Sequence, residues 1–140
     1  MKRIVVALLL FTATADADIQ QRTYKGVSGV SYNESDKAPS CGNSVRDFLK
    51  KTTEAMRTVT VSADAISVNT GAPQKITDSD ADSVTAMTIK ADPLLDAPDR
   101  KVVLSISVNR GANGDYFLTV TRIVASGDSL CGDSCSKSLD

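Results

Sequence analysis

Between residues 100 and 124 the chain alternates apolar and polar side chains with a period of two. Val102, Leu104, Ile106 and Val108 recur at every second position, and after the connector 109–115 the pattern resumes with Tyr116, Leu118 and Val120. Period two is the signature of a half-buried strand. The connector holds two glycines and two asparagines, residues that tolerate positive φ, so the two runs predict a β-hairpin. Ser105, Ser107, Thr119 and Thr121 line its polar face. Its apolar face needs a cover, and supplying that cover is the structural task of the other segments.

The period changes at Ser44. Val45, Phe48, Leu49, Thr52, Ala55 and Met56 fall on one helical stripe, with Arg46, Asp47, Lys50, Lys51 and Glu54 opposite. This predicts a helix over about 44–57, with Ser44 as N-cap and Asp47 in an acidic first turn. Its polar face mixes both signs, unlike the mostly basic face of a membrane-surface helix. The helix is therefore read as a core element lying across the hairpin sheet.

The remaining segments read as further sheet and connectors. Residues 19–31 carry Thr23, Tyr24, Val27 and Val30 between glycines and form a loosely patterned strand ending near Tyr32, followed by a polar connector over 33–43. In 58–69, Val59 and Val61 share one parity and Ile66 and Val68 the other. A tight turn at residues 63–65 explains the switch, and a single strand with a β-bulge is the alternative. Residues 70–74 close that segment, 83–91 form a weaker strand, and 91–100, with Pro93 and Pro98, is a connector by composition. Residues 126–140, rich in Ser, Gly and Asp, read as a polar tail of turn formers. The expected fold is α+β, mainly β: an antiparallel sheet of about five or six strands packed on one amphipathic helix. A small half-open barrel is the first picture and a meander the second.

The first residues read as an address. Lys2 and Arg3 precede an apolar run over 4–11, and small residues at 13–17 suit a signal peptidase cutting after Ala15 or Ala17. The run is too short to span a bilayer, which needs roughly 20 apolar residues. The expectation is a secretory signal peptide over 1–17 and an exported domain over 18–140, periplasmic or extracellular, with no membrane anchor after cleavage. Removing 1–17 leaves 14 basic against 16 acidic side chains. Such a balance, without any Lys/Arg run, argues against a nucleic-acid partner.

The chain contains no histidine. That excludes Ser-His-Asp and Cys-His nucleophile systems, His-containing zinc sites and imidazole bases together. Gly127-Asp128-Ser129-Leu130 spells the nucleophile block of the GDSL hydrolases. That block belongs near a mature amino terminus and its serine is served by a histidine, so the match is set aside. Asp78, Asp80 and Asp82 alternate as at the start of a calcium loop. Ser83 then stands where that loop needs glycine and Ile89 where it needs glutamate. The three aspartates are kept as a metal-site candidate, with a solvated acidic loop as the default.

Cysteines carry the firmest chemical signal. In an exported chain Cys41, Cys131 and Cys135 meet oxidising conditions, and one disulfide is expected, leaving one thiol over or paired between chains in a disulfide-linked homodimer. A bridge from Cys41 to either tail cysteine is favoured over Cys131–Cys135. It closes a loop of about 90 residues, worth about 4–5 kcal/mol in the chain-entropy picture. Cys-Gly-Asp-Ser-Cys is not the two-residue spacing of a redox motif.

Arg100, Lys101, Arg110 and Arg122 read as charged protection of a sheet edge. The hairpin tip is the partner-contact candidate, presenting Arg110 and Asn113. The first functional reading is an exported, non-catalytic binding or inhibitor-like protein acting through loops on a disulfide-stapled sheet. Its partner would be a protein or a small molecule, and no cofactor is implied. The second is an apolar-ligand carrier with a pocket lined by Phe48, Leu49, Met56, Leu104 and Leu118. A carboxylate-dependent enzyme is the third.

Overall fold

A computed structural model describes residues 19–34, 41–91, 100–127 and 129–140. The expected signal peptide, its expected cleavage site and most of connectors 33–43 and 91–100 lie outside the described residues. The elements run β1 (Thr23–Lys25), β2 (Ser31–Glu34), α1 (Asn43–Ala55), β3 (Thr58–Val61), β4 (Ala65–Val68), β5 (Gln74–Ser79), β6 (Ser83–Ala91), β7 (Arg100–Arg110), β8 (Tyr116–Ser126) and β9 (Ser129–Leu139). All nine strands share one antiparallel sheet in the order β1-β3-β4-β5-β6-β7-β8-β9-β2, curled as a half-barrel. Its two ends meet over a few residues. Gly26 bridges Leu139, the Lys25 and Asp140 amides each donate to the other's carbonyl at 2.9 and 2.7 Å, and the Val27 amide donates to Ser138.

The hairpin lies where the alternation places it, with Val102, Ile106, Val108, Leu118, Val120 and Val124 buried on the concave face. The parity switch at 63–65 is a turn between β3 and β4, closed by Ser62, whose amide donates to the Ala65 carbonyl at 2.9 Å. Several expectations need correcting. Nine strands replace five or six. Residues 19–31 form not one strand but β1 and the approach to β2, which occupy opposite ends of the sheet. Residues from Gln74 form β5, which the closing loop had absorbed; a bulge between Ile76 and Asp78 breaks its periodicity.

The largest correction is the tail. Residues 129–139 are a full strand, with Asp133, Cys135, Lys137 and Leu139 buried on the inner face and Ser134, Ser136 and Ser138 turned outward. Period two is present there, but two of its inner positions are the ions Asp133 and Lys137, so hydropathy does not reveal it. Arg122 is corrected in the same way. It is 1 % exposed on the concave face of a central strand, directly opposite Asp133 in register, and protects no edge.

The helix sits inside the curl. Leu49 and Thr53 are fully buried, with Met56 just beyond the end, while Phe48 of the expected stripe is exposed. The Thr53 hydroxyl donates to the Leu49 carbonyl one turn back at 2.8 Å, which satisfies it without water. Ser44 is not the N-cap. Gly42 holds that place at φ 97°, a conformation that favours glycine, and no side chain caps the first turn. At the other end the Lys137 ammonium, reaching from β9, donates to the carbonyls of Glu54 at 3.0 Å, Met56 at 3.2 Å and Thr53 at 3.4 Å. A buried cation thus serves the carbonyls that a helix C-terminus leaves without partners.

Lys137→Met keeps the aliphatic stem and removes those bonds. It is expected to lower unfolding stability by about 2 kcal/mol, read as a shifted urea midpoint with unchanged slope. An unchanged midpoint would show that the cap contributes nothing.

Candidate functional site

Two turns meet at one end of the sheet. In the β5–β6 turn the Asp80 carboxylate accepts from the Asp82 amide at 2.8 Å and the Ser83 hydroxyl at 3.3 Å, while the Asp80 amide donates to the Ser83 carbonyl at 2.9 Å. In the β7–β8 turn Gly114, at φ 87°, closes back on Gly111, and the Asn113 side chain donates to the Asp115 carboxylate at 2.7 Å. Short polar side chains binding their own backbone are what makes such turns rigid. Arg110 then joins the two. Its amide donates to the Asp82 carbonyl at 2.8 Å, and its guanidinium donates to Asp82 Oδ1 through Nη2 at 3.0 Å and Nε at 3.3 Å. The result is one braced, mainly acidic surface carrying Asp80, Asp82, Asn113 and Asp115, all exposed.

One rank of side chains in from this end, Phe117 and Ser138 face each other on the convex side of β8 and β9. With Gly29, Ser31, Ser136 and Lys137 they line an open cleft of about 170 Å³. The cleft exists because the chain leaves β9 after the Gly26 bridge and rejoins it at β2.

The expected site residues fall out differently. Arg110, its side chain 30 % exposed, is engaged with Asp82 as the brace. Asn113 does reach the surface, tied to Asp115. Asp78, Asp80 and Asp82 do not converge as ligands, since Asp80 folds onto its own turn and Asp82 faces Arg110. Among the described residues no three His, Cys, Asp or Glu side chains form a group able to hold a metal. Phe117 went unrecognised, and Asp82 was read as a metal candidate and not as the partner of Arg110. That partnership could be found only from the register that sets Ser83 opposite Asn109, which the sequence does not state.

Beneath the sheet, away from the turns, lies a second polar cluster. Tyr32 donates its hydroxyl to Asp133 Oδ1, and the Cys41 amide donates to Asp133 Oδ2 at 3.2 Å. The Arg46 guanidinium stacks 4.2 Å from the Tyr32 ring centroid, with the Lys50 ammonium at 5.7 Å. Cys41 and Cys131 are joined by a disulfide with Cα atoms 5.3 Å apart, spanning 90 residues. Cys135 is the free thiol and is fully buried. The bridge is made within the chain and the folded protein exposes no thiol, so these cysteines offer nothing for a disulfide-linked pair of chains.

The carrier residues separate. Leu49, Met56 and Leu118 pack into one core cluster with Leu104 against it, while Phe48 lies at the surface. No described helix is long and apolar enough to cross a membrane. Compared with protein-family models, curated proteins and solved structures, the chain matches none.

Burial pushes the Cys135 thiol above its ordinary 9.0, and the Lys50 ammonium and Thr53 hydroxyl oppose that shift only in part. A thiol-specific reagent is expected to leave the native protein unlabelled and to titrate one group after denaturation without reductant. The raised thiol contributes stability that is full below pH 9 and is lost as pH rises through the higher folded value. Tyr24, raised by burial above 10.0, acts with the same sign. Lys137, lowered from 10.5 by burial, acts against it. The melting temperature is therefore expected to fall above pH 9, less steeply in Cys135→Ala. Rapid native labelling, or equal slopes in both proteins, would refute the buried-thiol account.

Proposed function

We propose that this chain is an exported, non-catalytic binding protein that meets its partner through the braced turn end of its sheet. The observation that carries the reading is the Arg110–Asp82 link, because it makes two turns from different hairpins into one preorganised surface. Preorganisation removes the cost of ordering loops on binding. The intrachain disulfide supports export, since such bonds persist in oxidising compartments.

Two features support the non-catalytic reading. The chain has no histidine. Its fully buried carboxylate, Asp133, has both oxygens engaged by Tyr32 and the Cys41 amide, under the sheet rather than in a cleft. A carboxylate mechanism needs an acid that substrate can reach.

The buried state of Cys135 makes the test direct. Asn113→Cys labelled with a thiol-directed photo-crosslinker is expected to capture one partner from the protein's own extracellular fluid. The same label at Asp47→Cys, on the exposed side of α1, is expected to capture none. Adding Arg110→Ala to the Asn113→Cys protein should cut the yield about tenfold if the brace contributes about 1.4 kcal/mol. Equal adducts from the two labelled positions, or a yield insensitive to Arg110, would refute the turn end as the contact surface.

A further inference from the structure

The convex face of the sheet carries an unusual composition. From β2 or β6 inward, its side chains fall into cross-strand ranks. One is Ser31–Ser136–Thr119–Ser107–Thr85, and the next is Asn33–Ser134–Thr121–Ser105–Met87. Flanking them are Ser138–Phe117–Asn109–Ser83 on one side and Gly132–Ile123–Val103–Ile89 on the other. None of these 18 positions is charged. An ordinary protein surface, about 25–35 % charged, would place roughly five charges there. Depletion of charge is the compositional mark of an interface core. Met87 and Ile89, at 47 % and 67 % exposure, add apolar surface that the fold leaves uncovered.

We infer that this face is where two copies of the chain associate, sheet against sheet, about a twofold axis. A twofold interface must be complementary to itself. A face of one charge sign fails that requirement, whereas a hydroxyl both donates and accepts, so a Ser/Thr rank fits a copy of itself without an unpaired group. Several of these hydroxyls already pair along their ranks, Thr85 with Ser107 at 2.7 Å and Thr119 with Ser136 at 3.2 Å. Such bonds order the face in advance. Five strands about 4.8 Å apart and six residue steps of about 3.4 Å give a patch of about 24 by 20 Å, which removes roughly 1,000 Å² from water in a pair of copies. That is the threshold for a specific interface, and it sets the expected dimer as a weak one. The contact uses a different surface from the turn end and stands independently of the partner proposed there.

Thr121 lies at the centre of the patch and supplies the test. In sedimentation velocity the wild type is expected to show a monomer–dimer equilibrium with a dissociation constant between about 1 μM and about 1 mM. Thr121→Lys and Thr121→Asp each bring like charges together across the axis and are expected to weaken association at least tenfold. Mixed in equal amounts they should associate again, because opposite charges then meet. Far-UV circular dichroism and the single protected thiol confirm that each variant is folded. A wild type that stays monomeric to about millimolar concentration overturns the proposal. So does a dimer unaffected by either variant, or a mixture that does not associate.

Discussion

Two buried ions on one strand, Asp133 and Lys137 of β9, lie beside helix α1, and the partners they take organise the molecule. The first amides and last carbonyls of a helix have no partners within it. Here α1 supplies none itself: its N-cap is a glycine, its first turn has no acid and its last turn no base. At the carboxyl end the partners come from β9 and from Asn69, whose side-chain amide donates to the Ala55 carbonyl at 2.9 Å. Asp133 holds the Cys41 amide two residues before the helix starts, and Lys137 holds three carbonyls where it stops. The signs suit the helix dipole, negative charge at the amino end and positive at the carboxyl end. The lengths suit it too. Thirteen helical residues rise about 20 Å. The four strand residues from Asp133 to Lys137 advance about 13 Å, and the long lysine side chain covers much of the difference.

Placing those charges inside has consequences. A buried carboxylate needs more than one donor, and it receives Tyr32, with Arg122 opposite in register. Removing one partner from such a group costs more than the pair gains by existing. The register of β9 is thereby fixed. A slip of one residue would turn Asp133, Cys135 and Lys137 to solvent, bring Ser134 and Ser136 inward, and take Lys137 away from the helix carbonyls it serves. The convex side is the complement. With the strand's charges turned inward, its outward positions from Gly132 to Ser138 are serines and glycine.

This inversion also explains what could be read from the chain. The hairpin and the helix announce themselves because their buried positions are apolar and their periods differ. The β3–β4 pair is legible for the same reason, its valines and isoleucine falling on either side of a parity switch and so on one face of the sheet. β9 is hidden because burial there serves hydrogen bonding, so Asp and Lys stand where a pattern search expects Val and Leu. Its serines and glycine then suggest turns. β1 and β2 are hidden differently. Each is three or four residues long, and only their partners, β3 and the β9 strand, define them. At the turn end Asn113 was visible as a loop residue, but the role of Arg110 depends on an aspartate 28 positions earlier that register alone brings near.

The disulfide shows how one such hidden element decides chemistry. From the sequence, Cys131 and Cys135 look like neighbours in a polar tail of turn formers. Once 129–139 is a strand, four residues separate their Cα atoms by about 13 Å, and a bridge spans no more than about 7 Å. That pairing is closed to the folded chain. The choice of partner for Cys41 then follows from the helix. Its start must lie beside Asp133, and Cys131 is on the same inner face one step toward that end, whereas Cys135 is opposite Tyr32 and Val120 along the middle of the helix. Bridging to Cys135 would drag the helix along β9 and pull Lys137 past the carbonyls it serves. The Cys41–Cys131 bond therefore secures the alignment that the two charges set.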